Sequence, residues 1–158
     1  MHQAKNQLAH FVQTGFLLES SQFPLTAMPQ NAKMHSAEAS LNDRARSYLD
    51  INCGHCHNRT GAGDTSGLFL NIEETDQLRL GVCKPPIAAG QGTGGRFVGI
   101  QPGQPDHSIL SYRMERLDLG AMMPELGRST VHREGVDLIN EWIEKMSGDC
   151  NIEEVNLI

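Results

Sequence analysis

Aromatic residues are scarce in this 158-residue chain: one Trp, two Tyr and five Phe, 5% of the whole. Large rings usually supply much of a core's bulk. A hydrophobic content of 39% therefore allows a core of ordinary size that is poor in its usual fillers. Long apolar runs are missing too. No stretch of about 18 apolar residues exists, which excludes a membrane-spanning helix. Positive charge is in deficit, with 13 Lys and Arg against 19 Asp and Glu for a net charge of -6. That balance argues against nucleic acid and against an anionic membrane surface, while a basic protein partner stays compatible. The opening Met1–Leu8 is not a secretory signal, since His10, Gln13 and Thr14 interrupt its apolar stretch. An exported protein would therefore be represented here by its mature form or by a piece of something longer. The length suits one compact domain with some to spare.

Helical periodicity appears in four places. Residues 4–18 read as a short amphipathic helix with Leu8, Phe11 and Val12 on one face and Gly15 near its end. Pro24 and Pro29 then break the pattern up to Ser40, which marks a linker or strap. Ser40 with Asp43 three residues on predicts a helix N-cap and capping box. Leu41, Ala45, Tyr48 and Leu49 follow as one stripe, with Arg44, Arg46 and Asp50 off it. Ten of the 16 glycines crowd into residues 61–103, which predicts mostly loop, with a short helix at Glu73–Leu80. Gly92-Thr93-Gly94-Gly95 has neither the following Gly-Lys-Ser/Thr nor the preceding strand of a phosphate cradle. Asp106 or Ser108 is placed to cap a helix through Ile109, Leu110 and Leu117. A last helix starts near Thr130, carries Val136, Ile139, Trp142, Ile143 and Met146, and stops at Gly148.

The chemistry sits in Cys53-Gly54-His55-Cys56-His57, a C-x-x-C-H run of the kind that attaches haem c. Two thiols at this spacing reach the two vinyl groups on one porphyrin edge, and the following histidine projects beneath the ring toward the iron. A porphyrin would also supply the apolar bulk that the composition lacks. Three other readings compete. A thioredoxin-like C-x-x-C opens a helix after a strand, whereas this motif closes a helix. A structural zinc site wants a second ligand pair, and Cys83 and Cys150 stand apart. A disulfide within the motif leaves His57 and the glycine-rich segment unexplained. A second axial ligand is offered by Met122-Met123-Pro124, which lies in a turn-forming stretch between Gly120 and Gly127. His132 is the fallback. His55 reads as a solvent-facing spacer and His107 as a surface residue. Arg96, Lys84 and Arg113 are candidates for charge-assisted bonds to haem propionates.

The order of these features resembles a class I cytochrome c: a helix ending in C-x-x-C-H, long loops, a Met-Pro segment and a C-terminal helix. Three stretches further resemble the C-terminal haem module of an uncharacterised bacterial family of exported proteins. They are Arg44–Asp50, Gly81-Val82-Cys83-Lys84-Pro85-Pro86 and Met123-Pro124-Glu125-Leu126-Gly127-Arg128-Ser129. The resemblance spans about residues 41–147. It implies an all-α fold with glycine-rich loops wrapping one haem, its first and last helices crossing near Tyr48 and Trp142. It assigns His57 as proximal ligand and Met123 as distal ligand. Pro124 agrees with the latter, because it biases Met123 toward an extended backbone. Residues 1–40 are then an N-terminal helix and strap, 41–150 the monohaem domain and 151–158 a tail. The implied function is outer-sphere electron transfer by a periplasmic or otherwise exported carrier that is not itself an enzyme. Its partners are redox proteins and, in a longer parent chain, neighbouring domains. The alternative is a haem sensor or peroxidase-like module with an open or displaceable sixth site. Export also leads us to expect a Cys83–Cys150 disulfide, since spare thiols pair in oxidising compartments.

Overall fold

The computed structural model describes residues 6–18, 24–25, 28–87 and 89–151. The start of the helix predicted over 4–18, residues 19–23 and 26–27 of the linker, and residues 152–158 of the tail lie outside these. Regular structure is helical, with four α-helices and no β-strand among the described residues. The chain divides into two compact units, Met1–Gln30 and Asn31–Ile158.

In the first unit, α1 spans Gln7–Gln13 and begins at Asn6, whose side chain accepts the Ala9 N–H at 3.1 Å. It is shorter than its sequence pattern. Thr14 turns its hydroxyl back onto the His10 carbonyl, a local bond that competes with helix continuation, and Gly15 leaves with φ 78°.

The second unit is organised by α2 (Leu41–Leu49), α3 (Ile109–Glu115) and α4 (Arg133–Glu144). Ser40 caps α2 by accepting the Asp43 N–H at 3.0 Å. Ala45 and Leu49 then face inward and are fully buried. Residues 31–40 lie against the same helix: the Ala32 N–H donates to the Ser47 hydroxyl, and Arg44 donates to the Met34 carbonyl. α4 lays Val136, Ile139 and Ile143 into this core, joined by Leu70, Ile100 and Met114. It starts at Arg133 rather than near Thr130, and Met146 falls beyond its end.

α2 and α4 pass each other in opposite senses. Early in α2, Asn42 accepts the Trp142 indole N–H at 3.1 Å. Late in α2, Tyr48 stacks on His132 and covers Gly135, where a Cβ would land on the phenol ring. Tyr48 and Trp142 therefore mark the two ends of one helix contact instead of a single crossing point.

The glycine-rich segment carries short 3-10 turns at Asp64–Ser66 and Gly90–Thr93 and no helix at Glu73–Leu80. There the Glu74 and Asp76 carboxylates take backbone N–H groups of Thr75, Asp76, Leu78 and Arg79, so side chains replace the helical ladder. Arg46, which the sequence pattern places off the apolar stripe, is 8% exposed and donates to the carbonyls of Asn71, Ile72 and Glu74. The segment is also pinned by single bridges, Val82 to Ile100 and Val98 to Ser108. Gly99 is required at the first of these, since a Cβ would sit 2.8 Å from the Gly81 carbonyl oxygen. α3 follows a 3-10 turn at Pro105–His107 and ends before Leu117, which is exposed. Ser108 precedes α3 without capping it; its hydroxyl accepts the Gln101 N–H and donates to the Gln104 carbonyl. Cys83 and Cys150 are bonded, with Cα atoms 5.2 Å apart.

Candidate cofactor-binding site

A π-helical turn at Asp50–Gly54 carries α2 into the cysteine motif. Such turns recur at functional sites, because one wider turn re-aims the side chains it carries. The Cys56 and His57 N–H groups both donate to the Cys53 carbonyl, at 3.1 and 2.8 Å, which curls the motif back on itself. Gly54 lies tight against Asn71, where a Cβ would stand 3.2 Å from the backbone. Cys53 and Cys56 remain separate thiols, unlike Cys83 and Cys150. Burial pushes the Cys53 thiol up to about 12, with Cys56 adding to the effect.

Cys53 borders a cavity of about 550 Å³, within the roughly 300–1,000 Å³ of small-molecule and cofactor sites. Tyr48, Met114 and Val136 line it from the helices, and Met123, Arg128, Val131 and His132 from the segment before α4. Met122 does not line it. The Tyr48 hydroxyl and His132 Nδ1 are hydrogen-bonded at 3.1 Å, so that ring nitrogen is already engaged. Burial and the neighbouring Cys53 raise the Tyr48 phenol above its ordinary value.

His57 lies off that wall and is half-buried. Its Nδ1 is held from one side: the Ser66 hydroxyl is 3.5 Å away, and Gly63 is so close that a Cβ would stand 3.0 Å from it. Nε2 has no hydrogen-bond partner among the described residues. Burial lowers the imidazole's affinity for protons. A backbone hydrogen bond at Leu68 opposes this, and the charge of Arg113 adds to it. A metal-binding histidine wants this arrangement, one nitrogen fixed by hydroxyl or backbone and the other free and unprotonated.

Of the cations proposed for propionates, Arg96 and Arg113 bond main-chain carbonyls, and none of the three lines the cavity. Arg96 donates to the Asp106 and Gly94 carbonyls and stacks over Tyr112, its guanidinium carbon 4.3 Å from the ring centre. Lys84 reaches toward Gly67. Arg113 donates to the Ala121 and Gly120 carbonyls. The cation in the cavity lining is Arg128, which sequence reasoning did not single out. Its Nε–H is buried without a partner, while its terminal nitrogens donate to main-chain carbonyls. The residues fit a haem in kind: one thiol and a thioether line a single cavity, while the second thiol, Cys56, and the His57 imidazole adjoin Cys53 in the motif without lining it. Among the described residues no three His, Cys, Asp or Glu side chains converge as a metal site of their own. A smaller hollow at Gly103–His107 and Glu144 contains neither cysteine nor methionine.

No family model, no curated protein and no solved structure matches this chain.

Proposed function

We propose that this chain is a c-type cytochrome module that carries electrons through one haem, attached by Cys53 and Cys56 and ligated by His57 and Met123. The observation that carries the reading is that Cys53 and Met123, far apart in sequence, border one cavity of cofactor size. A bound haem supplies one-electron iron chemistry. The chain's own residues hold, orient and shield. Ser66 and Gly63 crowd His57 Nδ1, which would leave Nε2 to the iron. Met114, Val131 and Val136 present apolar surface that keeps water from the site. With His57 and Met123 both ligated, no position would be open to substrate, which suits a carrier rather than an enzyme. The class I cytochrome c fold belongs to the same proposal, with α2 and α4 as its first and last helices. The Cys83–Cys150 bond suits an exported, periplasmic setting, and the net charge of -6 suits a basic redox partner.

A second reading, a sensor or peroxidase-like haem with a displaceable sixth ligand, draws on the Tyr48–His132 pair in the same wall. Spectra of the reduced and oxidised protein with and without carbon monoxide separate the two. Electron transfer predicts that the wild type excludes the gas. Met123→Ala then admits it and lowers the midpoint potential, while Met122→Ala and Met114→Leu behave as wild type. Gas binding by the wild type favours the second reading, and a response at Met122 or Met114 alone overturns the ligand assignment.

A further inference from the structure

The segment carrying Met123 has little of its own to hold it in place. From Arg116 to Arg128 only Ala121 is buried, and Leu119 and Leu126 are 92% and 87% exposed. A loop of this length without apolar anchorage opens at low cost. Two arginines compensate. At its far end, the Arg128 guanidinium donates to the Met114 carbonyl at 2.7 Å, to the Arg113 carbonyl at 3.4 Å and to the Arg116 carbonyl. The Arg113 and Met114 carbonyls lie in the last turn of α3, where helices leave oxygens unsatisfied and cations are favoured. In its middle, Arg113 donates from Nε to the Ala121 carbonyl at 2.9 Å and from its terminal nitrogen to Gly120 at 3.4 Å. That nitrogen also lies 3.9 Å from the Glu125 carboxylate. The Met123 N–H itself donates to the Arg113 carbonyl at 3.0 Å, on the same helix end that Arg128 grips.

We propose that Arg128, assisted by Arg113, is a positioning residue that latches the methionine loop onto the end of α3 and thereby sets whether Met123 stays at the cavity. This rests on the haem–methionine reading above. Arg128 closes the loop from its far end, and its planar fork reaches three carbonyls from two separate nitrogens, a spread that the single ammonium of a lysine does not reproduce. Losing it frees the loop without touching Met123, His57 or either cysteine of the motif. The latch therefore controls occupancy of the sixth position and, through it, the potential.

The test uses the haem-loaded protein with Arg128→Ala and Arg128→Lys. It reads the sulfur-to-iron absorption band, the midpoint potential, carbon monoxide binding and amide exchange across residues 116–128. The expected result for Arg128→Ala is loss of most of the band, a lower midpoint and faster exchange at the Met123 amide. Carbon monoxide affinity should rise by roughly tenfold or more, since each lost charge-assisted bond shifts the equilibrium by about that ratio. Added guanidinium ion should restore the band, and Arg128→Lys should lie between. Haem-loaded Arg128→Ala with unchanged band, midpoint and gas exclusion overturns the latch. Where the alanine variant does not fold, Arg128→Lys decides on heating. Loss of the band well below the loss of helix supports the latch, and loss at the wild-type temperature overturns it. A wild type without covalent haem or without the band refutes the haem–methionine reading itself. A normal wild type beside an unaltered variant refutes only the latch.

Discussion

Gly135→Ala is expected to destabilise the second unit, although alanine is the better helix former. Gly135 is a buried residue of α4, and a Cβ there meets the Tyr48 ring. Tyr48 cannot swing aside freely, because its hydroxyl is bonded to His132 Nδ1 at 3.1 Å and its ring stacks on the imidazole. Overpacking of this kind costs about 1–3 kcal/mol. Losing the hydroxyl bond adds about 0.5–1.5 kcal/mol. Helix propensity returns about 1 kcal/mol. The net loss is about 0.5–3.5 kcal/mol, a fall in Tm of roughly 1–14 °C at this chain length. Thermal and urea unfolding followed by far-ultraviolet circular dichroism measure it. In a Tyr48→Ala background the clash is gone, and the same Gly135→Ala change should be neutral or slightly stabilising. Unchanged or higher stability of Gly135→Ala with Tyr48 intact would refute the proposed fit between α2 and α4.

Two further outcomes follow from the cysteines. Replacing both Cys83 and Cys150 by serine should cost about 4 kcal/mol, the chain-entropy value for a bridge across 67 residues, and a loss below about 1 kcal/mol would contradict the bond. In the chain before haem attachment, Cys53 should alkylate far more slowly than an ordinary thiol. With its pKa near 12, only about one molecule in ten thousand is thiolate at pH 8. The rate should rise about tenfold per pH unit from 8 to 11. Mass mapping of the alkylated peptides reads this, and a rate that levels off near pH 9 would contradict the raised thiol pKa.

Local periodicity made α2 and the apolar side of α4 legible, because Ser40, Asp43, Ala45, Leu49, Val136 and Ile139 act through neighbours three and four residues away. The same reasoning overextended α1 and α3, where Thr14 and the early end before Leu117 stop the ladder. It also placed a helix at Glu73–Leu80, where carboxylates of Glu74 and Asp76 bond the backbone instead. Cys53 and Met123 were visible as residue types, but their meeting at one cavity depends on how α2 and the loop before α4 come together. Arg46 and Arg128 were invisible as structural residues. Each bonds main-chain carbonyls distant in sequence, and carbonyls carry no side-chain signature. Arg128 follows an exposed glycine and reads as surface charge until the carbonyls at the end of α3 are seen around it.

The central claim is that Cys53 and Cys56 carry a single haem, and the direct measurement is the intact mass of the protein produced alongside cytochrome c maturation machinery. The expected mass is increased by one haem, the colour stays with the protein through acidified organic extraction, and a single thioether survives in each of Cys53→Ala and Cys56→Ala. A mass matching the bare polypeptide, or haem that extracts completely, would contradict it.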